Sequence, residues 1–245
     1  MNHREPRLVR ILCVFAVLLL AGCATAPPGT LDDPFERTNR AVFAFNNKVN
    51  DYVTLPIAWL YLKKLPGGVR KGVNAALANL QSPVTFANDL LQGRVRGAGE
   101  TALRFVVNSV AGLGGIHDVA AENGLPFHKS DFGQTLSVYG IGSGPFLVLP
   151  VIGPSTPRDT LGAAVDFLAD PLIYLPPEWS LSTRIGVAVG VHILSPFEEN
   201  ARAIVFRNQL GGESVDPYGT MRSVYRQRRA REIEGGPPPV PDLPE

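Results

Sequence analysis

The feature that most restricts the fold of this chain is a stretch of 25 residues, Gly133 to Pro157, without a single Asp, Glu, Lys or Arg. The same stretch holds five glycines and four prolines. Pro145, Pro150 and Pro154 would each remove a backbone hydrogen bond from a helix, so an apolar membrane-spanning helix is excluded here. We therefore predict irregular apolar backbone that is buried in protein or lines a cavity.

The first 22 residues are typical of a secretion signal. A basic segment with three arginines precedes an uninterrupted apolar run at residues 11–20. This run is too short to cross about 30 Å of hydrocarbon as a helix, but it suits the core of a signal peptide. It leads into Leu-Ala-Gly-Cys at residues 20–23, which resembles the bacterial lipobox. The alternative is an ordinary secretory signal cut near Ala26, which leaves Cys23 without a role.

Use of the lipobox would make Cys23 the lipidated first residue of the mature chain, with residues 23–32 as a short tether. Buried acyl chains contribute about 0.8 kcal/mol per CH₂, so three chains anchor a protein stably. Loss of the signal takes the formal net charge from +1 to −1, because three arginines and one glutamate leave with it. That balance argues against a general nucleic-acid binder. Ala24, a residue other than Asp, resembles the sorting pattern of outer-membrane lipoproteins.

Hydrophobic spacing predicts a mostly α-helical single domain over residues 33–234, with loops rich in glycine and proline. Asp33 is predicted to cap the first helix, with Pro34 in its first turn, and the apolar stripe ends before Pro56. Further helices are predicted over residues 66–80, from Ser82 to about 91, over 99–110, from Ser155 towards 168, and over 179–194, 196–210 and 216–233. Residues 235–245 are rich in proline and are predicted to be a disordered tail.

Two surface patterns leave alternatives open. Trp59 and Tyr61 precede Lys63 and Lys64, which is typical of a membrane interface, where rings lie at headgroup level and amines reach water. A buried helix end explains the same pattern. The four arginines within residues 226–231 are interpreted as a solvated helix face, or alternatively as a contact for anionic headgroups or an acidic partner.

No pattern in the chain predicts a catalytic residue, a metal site or a cofactor. The four histidines are scattered, and the mature chain has no cysteine pair. The glycine-rich turn around Ser143 lacks the glycines that a nucleophile elbow needs. His117 beside Asp118 would serve acid–base chemistry only if a nucleophile lay close, and a polar pair at a helix start is the simpler interpretation. We therefore predict a protein that is not an enzyme, with a membrane-anchored lipid hydrolase as one alternative.

Longer motifs are more informative than composition. In chain order they read DPFERTNR at residues 33–40, GGIHDVA at 114–120, FGQTL at 132–136, YGIGSGPFLVLP at 139–150, GPS at 153–155 and DPY at 216–218. Together they resemble the MlaA/VacJ family of outer-membrane lipoproteins, over about residues 33–230.

The resemblance implies a ring-like helical domain lying in the outer membrane, lipid-anchored on the periplasmic side. Members of the family extract mislocalised glycerophospholipids from the outer leaflet, associate with a trimeric porin and pass the lipid to a periplasmic lipid-binding protein. For this chain it implies a lipid conduit without hydrolytic chemistry, a cofactor or a nucleic-acid partner. A structural lipoprotein that braces porins is the second alternative.

A conduit of this kind needs an apolar lining and a pliable joint. Gly112, Gly114 and Gly115 are the candidate hinge, with a static helix cap as the alternative. The candidate lipid path consists of Phe43, Phe45, Ile141, Phe146, Leu147, Val148, Leu149, Val151 and Ile152.

Overall fold

The computed structural model describes residues 33–174, 178–194 and 215–235. The predicted signal peptide, the tether with Cys23, the helix predicted at 196–210 and the tail after Gly235 lie outside the described residues. Within these ranges the chain is mostly helical, which confirms the predicted fold class, and the strands form one two-stranded hairpin.

The first half of the chain is a series of helices. In order these are α1 (Glu36–Val49), a π-helical turn (Asn50–Thr54), α2 (Leu55–Lys64), α3 (Gly67–Leu91), α4 (Val95–Val110), α5 (Val119–Glu122) and α6 (Phe132–Val138). The second half adds the strands β1 (Leu147–Leu149) and β2 (Gly153–Ser155), then α7 (Pro157–Ala169), a 3-10 turn (Pro171–Ile173), α8 (Leu181–Leu194) and α9 (Pro217–Glu234).

Two helix boundaries predicted at prolines are wrong. Pro56 does not end the first helix, because the π-helical turn before it accommodates the change in backbone bonding and the chain continues directly as α2. Pro83 lies inside α3 rather than at the start of a new helix. The buried residues of α3 keep helical spacing on both sides of Pro83. Asn79 before the proline and Asp89 after it hydrogen-bond to Ser109 and Thr101 of α4, so packing against α4 holds the two halves as one helix.

Asp33 is not the side-chain cap of the first helix. Phe35 occupies the N-cap position without a side-chain hydrogen bond, and α1 begins at Glu36. The buried Asp33 carboxylate instead accepts hydrogen bonds from Asn39 (2.9 Å) and from the Tyr218 hydroxyl. A buried carboxylate needs such donors, and here they connect the start of α1 with α9.

The charge-free stretch is more regular than the sequence predicted. It contains most of α6, which starts where the Asp131 side chain accepts a hydrogen bond from the backbone N–H of Gln134 (2.9 Å). It also contains the antiparallel hairpin, in which Val148 lies opposite Pro154. The predicted helix start after Ser155 is confirmed, since Thr156 caps α7 by accepting from the backbone N–H of Asp159 (3.2 Å).

A small aromatic core lies where the hairpin meets α1 and α9. Phe146, Val148 and Tyr218 are buried together, and partly buried side chains of both helices pack against them. The ring of Phe146 lies 6.2 Å from that of Tyr218 and 5.8 Å from that of Tyr225, measured between centroids. This core fixes the position of the hairpin on the helical body.

Candidate functional site

Polar side chains are concentrated in the interior of the molecule and apolar ones on its surface. Among the described residues, twenty buried side chains are polar or charged and only ten are hydrophobic, four of them alanine. Large hydrophobic side chains are exposed on nearly every helix. Exposed apolar area on this scale indicates contact with lipid or with another protein. Within the part of the chain described, no helix combines the length and the apolar character that crossing a bilayer would require.

Interior polar side chains hydrogen-bond to one another across α3, α6 and α7. Asn88 donates to the Asp166 carboxylate (2.8 Å) and accepts from the Thr135 hydroxyl (2.8 Å). Gln92 donates to the same hydroxyl (3.0 Å). Burial raises the pKa of Asp166 above its ordinary value, against the hydrogen bonds that it receives. These bonds hold three helices together without a large apolar core.

Two asparagines of α1 hold the hairpin. Asn39 donates to the carbonyl of Phe146 and accepts from the N–H of Val148, both at 2.9 Å. Asn46 repeats the arrangement two turns later, with the carbonyl of Leu149 (2.9 Å) and the N–H of Val151 (2.8 Å). Seven helical residues rise about 10.5 Å, and three strand residues cover about 10 Å, so the two spacings match.

Sequence reasoning missed these two asparagines. They lie seven residues apart on the side of α1 that faces the protein interior, and both are buried. Buried amides at helical spacing were the available signal, because amides that lose water need partners. Their amide groups replace the neighbouring strand that β1 lacks.

The tip of the hairpin is strongly apolar and exposed. Val151 is 70% exposed and Ile152 79% exposed. Val151 also has a φ of +66°, an uncommon backbone conformation for a β-branched residue, which stores strain. The tip is therefore the clearest candidate for contact with an apolar ligand.

The structure divides the nine residues of the predicted lipid path. Phe146 and Val148 are buried in the aromatic core, and Phe43 packs against it. Leu147 and Leu149 are half-buried in β1. Phe45, Ile141, Val151 and Ile152 are exposed. The hairpin and its preceding loop carry seven of the nine residues, and the path itself stays a prediction.

A separate apolar groove of about 270 Å³ lies between α3 and α4, lined by Ser82, Pro83, Phe86, Thr101, Ala102, Phe105 and Val106.

The candidate hinge is a tightly packed turn. A Cβ atom on Gly112 would lie 2.2 Å from the carbonyl oxygen of His117, and one on Gly115 would lie 2.5 Å from the Cβ of Asn79. Gly114 and Gly115 have φ of +74° and +94°, while Gly114 faces open space. The N–H of Gly115 donates to the carbonyl of Asn108 (2.8 Å), which satisfies the end of α4. These contacts fit the static cap, and movement of the segment stays a prediction.

Alanine substitutions in this turn are expected to differ in effect. Gly114→Ala should lower the free energy of unfolding by about 1 kcal/mol, because only the positive φ opposes it. Gly112→Ala and Gly115→Ala should lower it further, since the new methyl group meets backbone or the Cβ of Asn79. Chemical unfolding of the three single variants tests this order. An equal and small loss of unfolding free energy in all three variants would contradict the tightly packed geometry of the turn.

Arg229 is the centre of a second, charged junction, between α9 and the starts of α6 and α7. Its guanidinium makes a bidentate pair with Asp131 (2.8 and 2.7 Å) and also bonds Asp159 (2.9 Å) and Glu232 (3.0 Å). Its side chain is only 12% exposed. The interpretation of the arginine run as a solvated face is therefore wrong for Arg229, because carboxylates from two distant helices desolvate and bind it.

Opposing effects set the pKa values at this junction. Burial alone would raise the pKa of Asp131, but the hydrogen bonds and charge of Arg229 outweigh burial and hold the pKa well below its ordinary value. The pKa of Asp159 is also lowered. Burial alone would raise it, but Arg229 and the hydrogen bond from the Tyr225 hydroxyl (2.6 Å) outweigh burial. Burial and the bond to Asp159 raise the pKa of Tyr225. Both carboxylates are thus charged at neutral pH.

Two of the residues behind the hydrolase alternative, Asp118 and Ser143, have structural partners, and the third, His117, is exposed. Asp118 caps α5 through the N–H of Ala121 (3.1 Å) and pairs with Arg104 (2.9 Å). The Ser143 hydroxyl donates to the carbonyl of Gly144 (3.2 Å). Across the described ranges no group of His, Cys, Asp and Glu side chains could hold a metal ion.

The chain is similar in sequence to known proteins over most of its length. The family model described as MlaA lipoprotein matches residues 31–232. The intermembrane phospholipid transport system lipoprotein MlaA of Escherichia coli (strain K12) is 33% identical over 226 residues, which cover 89% of this chain and 86% of the relative. An uncharacterized protein of Rickettsia felis is 34% identical over 204 residues, covering 82% of this chain and 78% of that protein.

The fold has a solved counterpart. A structure from work on the structural basis for maintenance of bacterial outer membrane lipid asymmetry superimposes with a TM-score of 0.66 and 32% sequence identity. The superposition covers 82% of this chain and 98% of that chain.

Proposed function

The chain belongs to the MlaA lipoprotein family, and from this premise we propose that it is the lipoprotein of a phospholipid transport system that maintains outer-membrane lipid asymmetry. It removes mislocalised glycerophospholipids from the outer leaflet and passes them to a periplasmic lipid-binding protein. The observation that carries the proposal is the distribution of polarity, with hydrogen-bonded polar groups inside and large apolar side chains on the surface. A protein that works among acyl chains needs that distribution.

The proposed location is the outer membrane, on the periplasmic side, with Cys23 as the lipid anchor. The exposed apolar helix faces are suited to contact lipid or the wall of a trimeric porin. No helix among the described residues needs to span the bilayer for this arrangement, because the acyl chains and the apolar faces together hold the protein in one leaflet.

The proposed lipid path runs along the exposed apolar residues of the hairpin region. Ile141, Val151 and Ile152 are available to an acyl chain, whereas Phe146 and Val148 support them from the core. The path contains no charged side chain between Gly133 and Pro157, so an acyl chain that moves along it meets no unpaired charge.

A deletion strain tests the proposed function. Loss of this protein should raise the phospholipid content of the outer leaflet and the sensitivity of cells to detergent, and the wild-type gene should restore both. Unchanged outer-leaflet phospholipid in the deletion strain would contradict the proposal and favour a bracing role. Release of fatty acid when purified protein is incubated with labelled phospholipid would instead indicate a hydrolase.

The hairpin tip gives a test at residue level. Val151→Asn is expected to raise the free energy of unfolding by up to about 1 kcal/mol, because Asn tolerates a positive φ that strains Val. The same variant should transport less lipid, since a polar side chain replaces an apolar one at the tip. Val224→Asn, at an exposed position of α9, is the matched control. Wild-type lipid asymmetry with Val151→Asn would exclude the tip from the path.

Lipidation has its own prediction. Cys23→Ala should abolish acylation and leave the precursor uncleaved at the inner membrane, because the thiol is the acceptor of the diacylglyceryl group. Palmitate labelling and membrane fractionation measure both effects. Labelling equal to that of the wild type would show that the lipobox interpretation is wrong.

A further inference from the structure

Residues 123–131, the strap, connect α5 to α6 without regular secondary structure. Polar side chains from α4 and from the end of α3 fasten the strap at three points. At two of them Arg104 donates to the carbonyl of Leu125, and Gln92 donates to the Ser130 hydroxyl (2.9 Å). The strap leads directly into α6, so these contacts also fix where that helix begins.

The third contact joins two ionisable groups. The Nε2 atom of His128 lies 2.7 Å from Oδ2 of Asp89, and the same oxygen accepts a hydrogen bond from the Thr101 hydroxyl (3.0 Å). Asp89 is completely buried, and its Oδ1 atom has no hydrogen-bond partner among the described residues. Burial of a carboxylate is costly unless a positive charge compensates it. A protonated His128 supplies that charge.

The strength of this contact depends on the proton of the imidazole. The His128 side chain is 33% exposed, so the ring can exchange protons with solvent. Imidazole groups change charge between about pH 5 and 8. Because a hydrogen bond between charged partners is roughly twice as strong as one between neutral partners, the contact weakens when the ring becomes neutral. The buried carboxylate then also loses its compensating charge.

The charged groups of α4 close to this pair have partners of their own. Arg96 pairs with Glu100 at 2.9 Å, and Arg104 pairs with Asp118, also at 2.9 Å. On the strap itself, Lys129 follows His128 directly and is exposed. Arginine and lysine stay protonated and paired carboxylates stay ionised between pH 5.5 and 8, so these groups do not produce a change in that range.

Two further carboxyl groups lie close to the strap. Asp131, its last residue, is charged because Arg229 holds its pKa well below the ordinary value. Asp166 accepts a hydrogen bond from Asn88 (2.8 Å), the residue before Asp89, and burial raises the pKa of Asp166. Asp166 is therefore the competing titratable group that an experiment has to separate from His128.

We propose that His128 and Asp89 form a pH-sensitive latch, which fastens the strap to α3 and α4 while His128 is protonated and loosens it as the pH rises through neutrality. The geometry that supports the latch is a buried carboxylate with a partly exposed imidazole as its counter-charge. Loosening of the strap also frees the start of α6, because that helix follows directly. The inference goes beyond the proposed transport role and does not depend on it.

Hydrogen exchange of the full-length protein in detergent micelles tests the latch. The amide of Leu125 donates to the carbonyl of Ala120 (3.0 Å) and reports opening of the strap. Each exchange rate is divided by the intrinsic rate of an unfolded peptide at the same pH. Protection of the strap should fall about tenfold between pH 5.5 and 8, because a charge-assisted hydrogen bond is replaced by a neutral one. Amides within α4 should keep their protection, which excludes global unfolding as the cause.

Three variants assign the effect to the latch. His128→Gln keeps a hydrogen-bond donor but cannot titrate, so its strap protection should not change with pH. Asp89→Asn removes the buried charge and should also abolish the pH dependence, which provides a second test if His128→Gln does not fold. His117→Gln removes an exposed histidine instead and should behave as the wild type.

Two results would overturn the proposal. Strap protection in the wild type that stays constant from pH 5.5 to 8 would show that no latch opens. A wild-type pH profile in His128→Gln or in Asp89→Asn would assign the change to another group, with Asp166 as the first candidate.

Discussion

Arg229→Leu should lower the free energy of unfolding by about 3–5 kcal/mol near neutral pH, the loss expected when one partner of a buried ion pair is removed. The reason is that Asp131 would keep its negative charge in a buried site after losing the guanidinium that compensates it, while Asp159 would retain Arg158 at 3.1 Å. Chemical unfolding in detergent or in vesicles measures the change.

The pH dependence of this variant should have the opposite sign to that of the wild type. In the wild type both carboxyl pKa values lie below the ordinary value of 3.8, so their contribution to stability is complete well above pH 3.8 and is lost as the pH falls below 3.8 and through the lower pKa values of the folded state. Without Arg229, burial should raise the pKa of Asp131, and protonation of that carboxylate then relieves the buried charge. The variant should therefore gain stability, relative to its own value at pH 7, when the pH is lowered towards 4.

Arg231→Leu is the matched control for the same helix and the same change in charge. Arg231 is exposed in the last turn of α9, where a cation contributes about 0.3–1 kcal/mol through the helix dipole. A loss in Arg231→Leu as large as that in Arg229→Leu, or a wild-type pH profile in Arg229→Leu, would contradict the buried junction.

Phe146→Ala should also be strongly destabilising, by about 3–5 kcal/mol, because it removes a ring that is 1% exposed and packed between Tyr218 and Tyr225. Ile141→Ala, at an exposed position of the loop that leads to the hairpin, should change stability little. The unfolding midpoints of the two variants provide the comparison.

This pair of variants distinguishes residues of the predicted path that stabilise the core from residues that contact lipid. If Phe146 serves the core, its loss should reduce the amount of folded protein and thereby transport. A stable Phe146→Ala protein with defective transport would place the ring in the lipid path instead. Ile141→Ala should affect transport without affecting the amount of protein in the membrane.

Local sequence signals predicted local structure well. Thr156 followed by Pro157 marked the start of α7, where the Thr156 side chain is the cap, and Asp216 followed by Pro217 marked the start of α9 through the proline in its first turn. The same Asp-Pro pattern at Asp33 did not place the cap of α1. Predictions at Pro56 and Pro83 failed because a π-helical turn and packing against α4 made continuous helices possible, and neither effect is local.

The candidate site was predicted only in outline. The motif at residues 139–150 indicated the region that carries the hairpin, yet Asn39 and Asn46, which hold it, lie more than 100 residues earlier in the chain. Nothing in the sequence distinguishes Arg229 from the other three arginines of residues 226–231. Its burial depends on Asp131 and Asp159, which lie 98 and 70 residues away in the chain. Only the folded chain brings these groups within hydrogen-bonding distance.

The sequence by itself determined the helical class, the family and the charge-free character of the hairpin region, because these depend on residue type and short spacing. The tertiary structure decided which apolar side chains are core and which are surface. In a protein that faces lipid, hydrophobic residues are favourable on both sides of a helix, so an apolar stripe does not show which side is inside. Buried hydrogen-bonding partners do show it, and those partners meet only when distant segments of the chain pack together.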